Sequence, residues 1–545
     1  PGRIRPPGSI RVPRLDLRPV GARLVRALPF MVTAAAVLIP LPGMLAMGAT
    51  AMEEGNVLVV ADLLLDGRWP NGDFEYLYPP GNVWVVGAAF WSLGPSVLVE
   101  RLVGLAYRVV LLWGLYRMAR PWGRGTATAA ALTTWVLVAP FGLFAYSWLC
   151  GLALLVAGTA LVLDGGARRS SAVGAGLLGL AVFHQVVLAP AVLLVLATEA
   201  WHTTRARRRR LATGLVSGLS PFLLHLVLVG PVALFEGVVV DPVFRLRSGR
   251  RLPLPPDPSE SADMFARLDD MLRGPDPWPG LSRPAQVAAV FWLLLLVAVG
   301  MVLLPRLWRI PHRRRFTTLA LVGIAIVPMV MQRPSPNHLK FVGGYVFAIA
   351  TVAVAVALGR RLPLSRRHLA APLSLLAVVG LLFAVAPHHL GRFTVDAFTE
   401  RAATWSTPSI THAGRTLPVG DEAFAVELDA LLAEVDARTE PGDSVFVGPV
   451  DLTRTNYSET FLYFLLPDLV PASRHLEMNP GLANRPGGTL AGELAEADLL
   501  ILTDRFDGWS EPNTSVEPGA PEPARVAADR FCEAWSSPFH VLLVP

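Results

Sequence analysis

Apolar runs alternate with short arginine clusters from the N-terminus to about residue 387, and that rhythm organises most of the chain. About twenty apolar residues are needed to cross a hydrocarbon core of roughly 30 Å. Runs of this kind fall at 28–51, 97–118, 126–145, 148–164, 171–183, 186–199, 211–235, 284–304, 317–332, 341–358 and 370–387. Between them lie Arg3 to Arg26, Arg117 to Arg124, Arg168–Arg169, Arg205 to Arg210, Arg306 to Arg315 and Arg360 to Arg367. If every cluster is cytoplasmic, an even number of crossings separates each consecutive pair. That parity divides residues 171–199 into two short helices with His184–Gln185 at their outer turn, because a single crossing would export the RARRRR run. It also makes NVWVVGAAFWSL (82–93) an apolar helix lying in the outer interface, anchored by Trp84 and Trp91, and not a crossing. The reading is of eleven spans with the N-terminus inside.

Composition agrees with this pattern. Of 545 residues 53% are hydrophobic and 17% charged, and the mean hydropathy is +0.47. A soluble protein of this size has too little interior for so much apolar side chain. The net charge of +6 hides a division: residues 1–387 hold 38 basic and 18 acidic groups, residues 388–545 hold 10 and 24. The arginines sit in the loops between apolar runs, so the basic balance reads as positive-inside topology, with no nucleic-acid partner. The first apolar stretch reads as an anchor, lacking the short core and small-residue cleavage site of a cleaved signal. Cys150 and Cys532 make neither a disulfide framework nor metal-ligand spacing.

The acidic tail has a different pattern. SVFVGPV (444–450), DLLILTD (498–504) and HVLLV (540–544) read as buried strands, and ELDALLAEVDA (427–437) and GELAEADL (492–499) as helices between them. Strands alternating with helices predict a small α/β domain with a mainly parallel sheet. WSEPNTSVEPGAPEP is turn-rich, and no glycine-rich phosphate fingerprint follows any strand. The fold class expected is therefore a polytopic α-helical membrane protein with a C-terminal extracytoplasmic α/β domain. Its parts are a basic cytoplasmic segment (1–27), a transmembrane domain (28–387) with external loops 52–96 and 236–283, and the tail (388–545).

With that topology, everything polar and unusual falls on the outer face. Glu53–Glu54 follow the first span directly. A carboxylate there, its pKa raised by a low-dielectric rim and a like-charged neighbour, suits removal of a proton from a hydroxyl nucleophile. The stretch MEEG…LLLDGRWPNGDF…YLYPPG resembles the first external loop of the GT-C superfamily of polytopic glycosyltransferases. In that superfamily an acidic pair ends the first span, a Gly-x-Trp/Pro turn follows, and an aromatic-Pro-Pro element starts a juxtamembrane helix. Here these are Glu53–Glu54, Gly67–Trp69–Pro70 and Tyr78–Pro79–Pro80. The resemblance implies an inverting sugar transfer from a polyprenyl-phosphate carrier to an envelope glycan, lipid or protein at the outer face. The first carboxylate of the pair would be the general base; Glu replaces Asp at that position, which leaves Glu53 and Glu54 as joint catalytic candidates. The second acid that many relatives have in the next external loop is missing from FAYSWLCG (144–151). No cofactor is specified, and a need for a divalent cation is left open.

A phosphate leaving group needs fixed positive charge or donors. The candidates for binding the lipid phosphate and substrate are Arg333, His338 and Lys340 in QRPSPNHLK, His184 and Gln185, and Arg245 and Arg247 on the second external loop, with Tyr78 on the first. Lys340 is the single lysine of the chain. The same residues admit plainer roles: snorkelling for Lys340, core packing for His184, and headgroup attraction for the loop arginines. Arg108, in the middle of a predicted span, needs a partner on another helix or a wet cavity. The alternative function is a transporter or flippase for a lipid-linked or envelope precursor. Transporters place ionisable groups near the midplane of repeated halves, and no repeat is evident here.

Overall fold

The computed structural model describes residues 18–164, 168–257, 282–307, 310–508 and 511–545. The first part of the N-terminal basic segment and residues 258–281 of the second loop lie outside the described residues. The helices are α1 (Arg18–Leu38), α2 (Leu41–Ala46), α3 (Glu53–Leu65), α4 (Gly81–Leu93), α5 (Val97–Ala119), α6 (Arg124–Val138), α7 (Ser147–Asp164), α8 (Arg168–His184), α9 (Ala189–Trp201) and α10 (Arg205–Val229). Later come Arg283–Leu307, Arg313–Ile326 with Pro328–Gln332, Pro336–Arg361 and Ala370–Val385. Each apolar run therefore coincides with a helix or a pair of helix pieces. Among the described residues seven helices have the length and apolar composition to cross a membrane. The chain is a multi-pass membrane protein by these helices.

Helix packing uses small residues, as expected where lipid supplies no hydrophobic drive between helices. Gly214 and Gly218, one turn apart on α10, lie against α8. A Cβ on Gly218 would stand 2.0 Å from the Gly176 carbonyl oxygen, and one on Gly214 2.2 Å from that of Ala172.

The divided reading of 171–199 agrees with the geometry. Gln185 has extended φ −152° and ψ 102°, which breaks the helix. Glu199, near the end of α9, pairs with Arg207 at 3.1 Å, while Arg207 also donates to the Val162 carbonyl near the end of α7 at 2.6 Å. The end of α9 thus lies beside the end of α7, from which the chain passes directly to α8. Helices α8 and α9 form a hairpin. The same end of the bundle holds Asp164 between Arg117 (2.5 Å) and Arg315 (3.0 Å), and Glu199 with Arg314 (3.0 Å). Arginines of three clusters, Arg117, Arg207, Arg314 and Arg315, thus gather at one end.

At the opposite end α3 and α4 lie side by side, with Trp84 among Trp69, Phe183 and His225. Trp91 is 81% exposed, and Trp84, half-buried, belongs to this aromatic cluster. Arg108 has a backbone solution. Its Nη1 donates to the carbonyls of Gly104, Leu143 and Phe144 at 2.8, 3.2 and 3.3 Å, bracing the chain between α6 and α7.

The tail carries a hairpin, β1 (Ser409–His412) with β2 (Arg415–Pro418), and a five-stranded sheet ordered β4-β3-β5-β7-β6. Its strands are β3 (Ser444–Pro449), β4 (Val470–Pro471), β5 (Leu499–Thr503), β6 (Cys532–Ser536) and β7 (His540–Val544). Strands β4, β3 and β5 run parallel; β7 is antiparallel to both β5 and β6. The sheet is mixed, in place of the mainly parallel one expected, because the three residues between β6 and β7 permit only a tight reversal. Cys150 is buried and Cys532 exposed, both as free thiols.

This sheet domain docks on α3. Arg415 reaches Asp62 at 2.5 Å and the Phe464 carbonyl at 2.9 Å. A Cβ on Gly55 would lie 2.7 Å from the Phe461 backbone nitrogen. Gly55→Val is therefore expected to force α3 away from residues 461–465 and to destabilise the protein by about 1–3 kcal/mol, read as a lower melting temperature; an unchanged melt would show that the contact carries little.

Candidate functional site

Glu53 and Glu54 occupy the first turn of α3, where the helix dipole favours negative charge, yet the two side chains part. Glu54 is fully buried. Its Oε1 accepts from Arg101 Nε at 2.7 Å and its Oε2 from Arg101 Nη2 at 3.0 Å, while Arg101 Nη1 donates to the Leu45 carbonyl at 2.6 Å. Thr50 Oγ1 accepts from the Glu54 backbone N–H, and the Thr50 N–H donates back to Oε2. Three donors thus hold this carboxylate, and its position makes Glu54 a brace between α3 and α5.

Glu53 turns the other way. It is exposed, but into a recess. Burial is the largest influence on its carboxyl and raises its pKa; its own backbone N–H, Arg250 and Arg333 pull it down, and Glu54 adds to the rise. Arg333 and Arg250 therefore stand within electrostatic reach of Glu53. So do Tyr146, Tyr457 and Glu477, each of which feels the Glu53 charge.

The guanidiniums are fixed from the sheet domain. Arg333 forms a two-pronged pair with Glu511, one contact at 2.8 Å, and donates to the Arg250 carbonyl at 2.7 Å. Arg250 donates to Asn479 Oδ1 at 3.0 Å, and its guanidinium lies 5.9 Å from the centre of the Tyr457 ring. Asn479 and His475 hold the two oxygens of Glu75, at 2.9 and 2.6 Å, tying the first external loop to the same surface. Glu477 comes from that surface too. Burial above all pushes its pKa up to about 7, against the pull of Arg250, with Glu53 and Glu75 adding to the rise.

Other expected site residues fall in different places. Tyr78 joins the recess: it packs edge-on to Tyr76 at 5.7 Å and lies in the fields of Glu477, Arg250 and Arg333, with Trp148 as hydrogen-bond donor. His338 touches the Trp148 ring at 5.7 Å and shares a hydrogen bond with Ser335 Oγ at 2.8 Å. Lys340, two residues on, points elsewhere. Its Nζ lies over Phe393 (4.6 Å) and Phe141 (5.1 Å), and it borders an apolar cavity of about 310 Å³ with Gln286 and His389. Stacked Phe141, Phe341 and Tyr146 stand between Lys340 and the Glu53 recess. The cradle expected from Arg333, His338 and Lys340 is thus split, because positions two apart on a helix face different sides.

His184 and Gln185 are both buried. His184 Nδ1 bonds the Leu180 carbonyl at 2.8 Å and the ring sits where a side chain on Gly81 would be. Gln185 donates to Ser147 Oγ at 2.9 Å. Arg245 is taken up by Asp241 (2.7 Å) and Glu236 (3.7 Å) of its own π-helix, Glu236–Arg245. The side chain of Arg247 lies outside the described residues. Among the described residues no group of three or more His, Cys, Asp or Glu side chains is placed to hold a metal ion.

Tyr457, Glu477 and Glu511 were not among the residues expected, although a sequence signal pointed to their region. They lie in the loops after β3, β4 and β5, the carboxyl ends of the parallel strands, where open α/β sheets present their ligand-binding groups.

No protein-family profile matches the chain, and no curated protein matches it in sequence. Solved structures do match in fold. The chain superposes on ArnT from Cupriavidus metallidurans bound to undecaprenyl phosphate with a TM-score of 0.53 and 14% identity, covering 96% of this chain and 98% of that one. The apo form of the same protein gives 0.49 at the same identity and coverage. The likeness to this solved structure is one of fold, along almost the whole chain.

Proposed function

We propose that the protein is an inverting glycosyltransferase that moves a sugar from a polyprenyl-phosphate carrier to an envelope acceptor at the outer face of the membrane. The observation that carries this reading is the parting of the acidic pair: Glu54 is locked by Arg101, and Glu53 faces a recess bordered by Arg333, Arg250, Tyr78 and Glu477. The shared fold supports the carrier, since the ArnT structure holds undecaprenyl phosphate.

In this reading Glu53 accepts the proton of an acceptor hydroxyl, whose oxygen attacks the anomeric carbon as the bond to the carrier phosphate breaks. The guanidiniums of Arg333 and Arg250 supply fixed positive charge where the phosphate oxygen gains its negative charge, an arrangement that needs no reorganisation during the reaction. The basic end of the bundle, remote from the recess, supports a cytoplasmic placement of that end and an extracytoplasmic placement of the sheet domain. Arg108 was the one mid-span charge that favoured transport, and its carbonyl partners give it a structural use.

The test is sugar transfer by the full-length protein in nanodiscs charged with polyprenyl-phosphate sugars. A base works only when ionised, and burial raises the Glu53 carboxyl above its ordinary range. The acid limb of kcat/KM is therefore expected above the ordinary glutamate pKa of about 4.3, activity falling as pH drops through it. A limb that stays in place in Glu53→Asp would assign the titration to another group.

A further inference from the structure

We propose that a cleft between the second external loop and the sheet domain is a saccharide subsite, through which a water-borne glycan acceptor presents its hydroxyl to Glu53. This rests on the transferase reading and extends it to the acceptor. The cleft is partly open to solvent, so an occupant would rest along its surface. Arg250 lines it from the loop; Arg454, Thr455, Asn456, Tyr457 and Ser515 line it from the domain.

Its chemistry suits a polyol. Arginine and asparagine present forked donors and acceptors to neighbouring hydroxyls, and the tyrosine offers a flat ring beside them. Thr455 is 9% exposed, and its buried hydroxyl has no hydrogen-bond partner among the described residues. A buried hydroxyl left unmatched costs stability unless something occupies its site. The pairing of Arg454 with Asp451, at 3.4 Å and about two-fifths exposed on each side, is a screened surface contact that leaves the guanidinium usable.

Position gives the second argument. The cleft and the Glu53 recess share residues: Arg250 and Tyr457 border both, and Glu511, which lines the cleft, holds Arg333. The cleft is therefore tied to Arg333 through Glu511 and shares Arg250 with the charges that act on Glu53. The cleft is built from the loops after β3 and β5 and from the second external loop, with no membrane-crossing helix in its lining. A donor anchored in lipid and an acceptor arriving through water would then approach Glu53 from different sides.

The experiment is saturation-transfer NMR on the full-length protein in nanodiscs with short arabino-, manno- and galacto-oligosaccharides. Each is offered free and attached to a lipid anchor. At least one free series is expected to bind. Val516→Trp, a substitution at an exposed cleft residue with little bearing on the core, is expected to abolish that binding. Thr455→Val combined with Asn456→Ala is expected to weaken it about tenfold or more, with an unchanged melting temperature as the check on folding. Failure of every series, binding that survives Val516→Trp, or binding confined to lipid-anchored sugar overturns the proposal. Free-sugar binding in a protein that transfers nothing from any polyprenyl carrier would leave the subsite standing and remove the transferase reading instead.

Discussion

Glu53→Gln is expected to abolish sugar transfer with the fold intact, and Glu54→Gln to damage the fold first. The two glutamates are neighbours on one helical turn, but they meet different surroundings. Glu53 faces the recess and bonds to no other side chain among those described, so the neutral amide removes a proton acceptor and little else. Loss of a positioned general base costs about 10²–10⁴ in rate. Glu54 is enclosed with Arg101, both side chains 1% exposed. An amide there takes from the buried guanidinium the carboxylate that holds it at two points, leaving Glu100 as its remaining acidic neighbour; removing one partner of a buried pair costs about 3–5 kcal/mol. Thermal melts and transfer rates on the two single variants separate the roles. A stable, active Glu53→Gln protein would end the assignment. A stable but inactive Glu54→Gln protein would return that residue to the chemistry. The reciprocal variant Arg101→Met is expected to behave like Glu54→Gln, and replacing both partners with apolar residues to recover part of the lost stability.

The acidic pair was legible in the sequence; its division was not. Pattern and parity locate the apolar helices, the break at Gln185 and the juxtamembrane helix 81–93, because a crossing leaves the same periodic mark wherever its neighbours lie. They cannot show which helix face meets which. Arg101 lies forty-seven residues from Glu54, and nothing local distinguishes it from Arg108, whose partners are carbonyls. The QRPSPNHLK stretch shows the same limit at shorter range: Arg333 and Lys340 are close in sequence but are separated by the turn of one helix and a stack of three aromatic rings. The tail's sequence shows strands and helices but no glycine-rich fingerprint after any strand. Its strands were visible as buried runs, yet Tyr457, Glu477 and Glu511 stand in irregular loops with no periodicity, and their place beside Glu53 depends on how the domain docks on α3 through Gly55 and Arg415. Glu477 brings a further acid within electrostatic reach of Glu53, from the sheet domain.

The docking of that domain leads to the second large effect, at Arg333. Arg333→Ala is expected to reduce transfer by about 10²–10³, the loss seen when one preorganised donor to a developing oxyanion is removed, and also to destabilise the protein, because Glu511 is left 3% exposed and unpaired. The two effects separate in a double variant. Arg333→Ala with Glu511→Ala removes both charges, so stability is expected to return toward the native value while transfer stays low. Recovery of transfer in that variant would make Arg333 a docking residue with no part in catalysis. The pair also has a pH signature. Burial alone would raise the Glu511 carboxyl, but Arg333, through charge and hydrogen bonds, outweighs it and holds the pKa below the ordinary value. A carboxyl with a lowered folded-state pKa contributes stability above its unfolded pKa of about 4.3 and loses it as pH falls through the folded value. Wild-type protein is therefore expected to lose more melting temperature between about pH 5 and about pH 2 than Glu511→Gln, which has no such carboxylate to protonate. Equal losses in the two proteins would show that Arg333 and Glu511 do not hold the domain on the bundle.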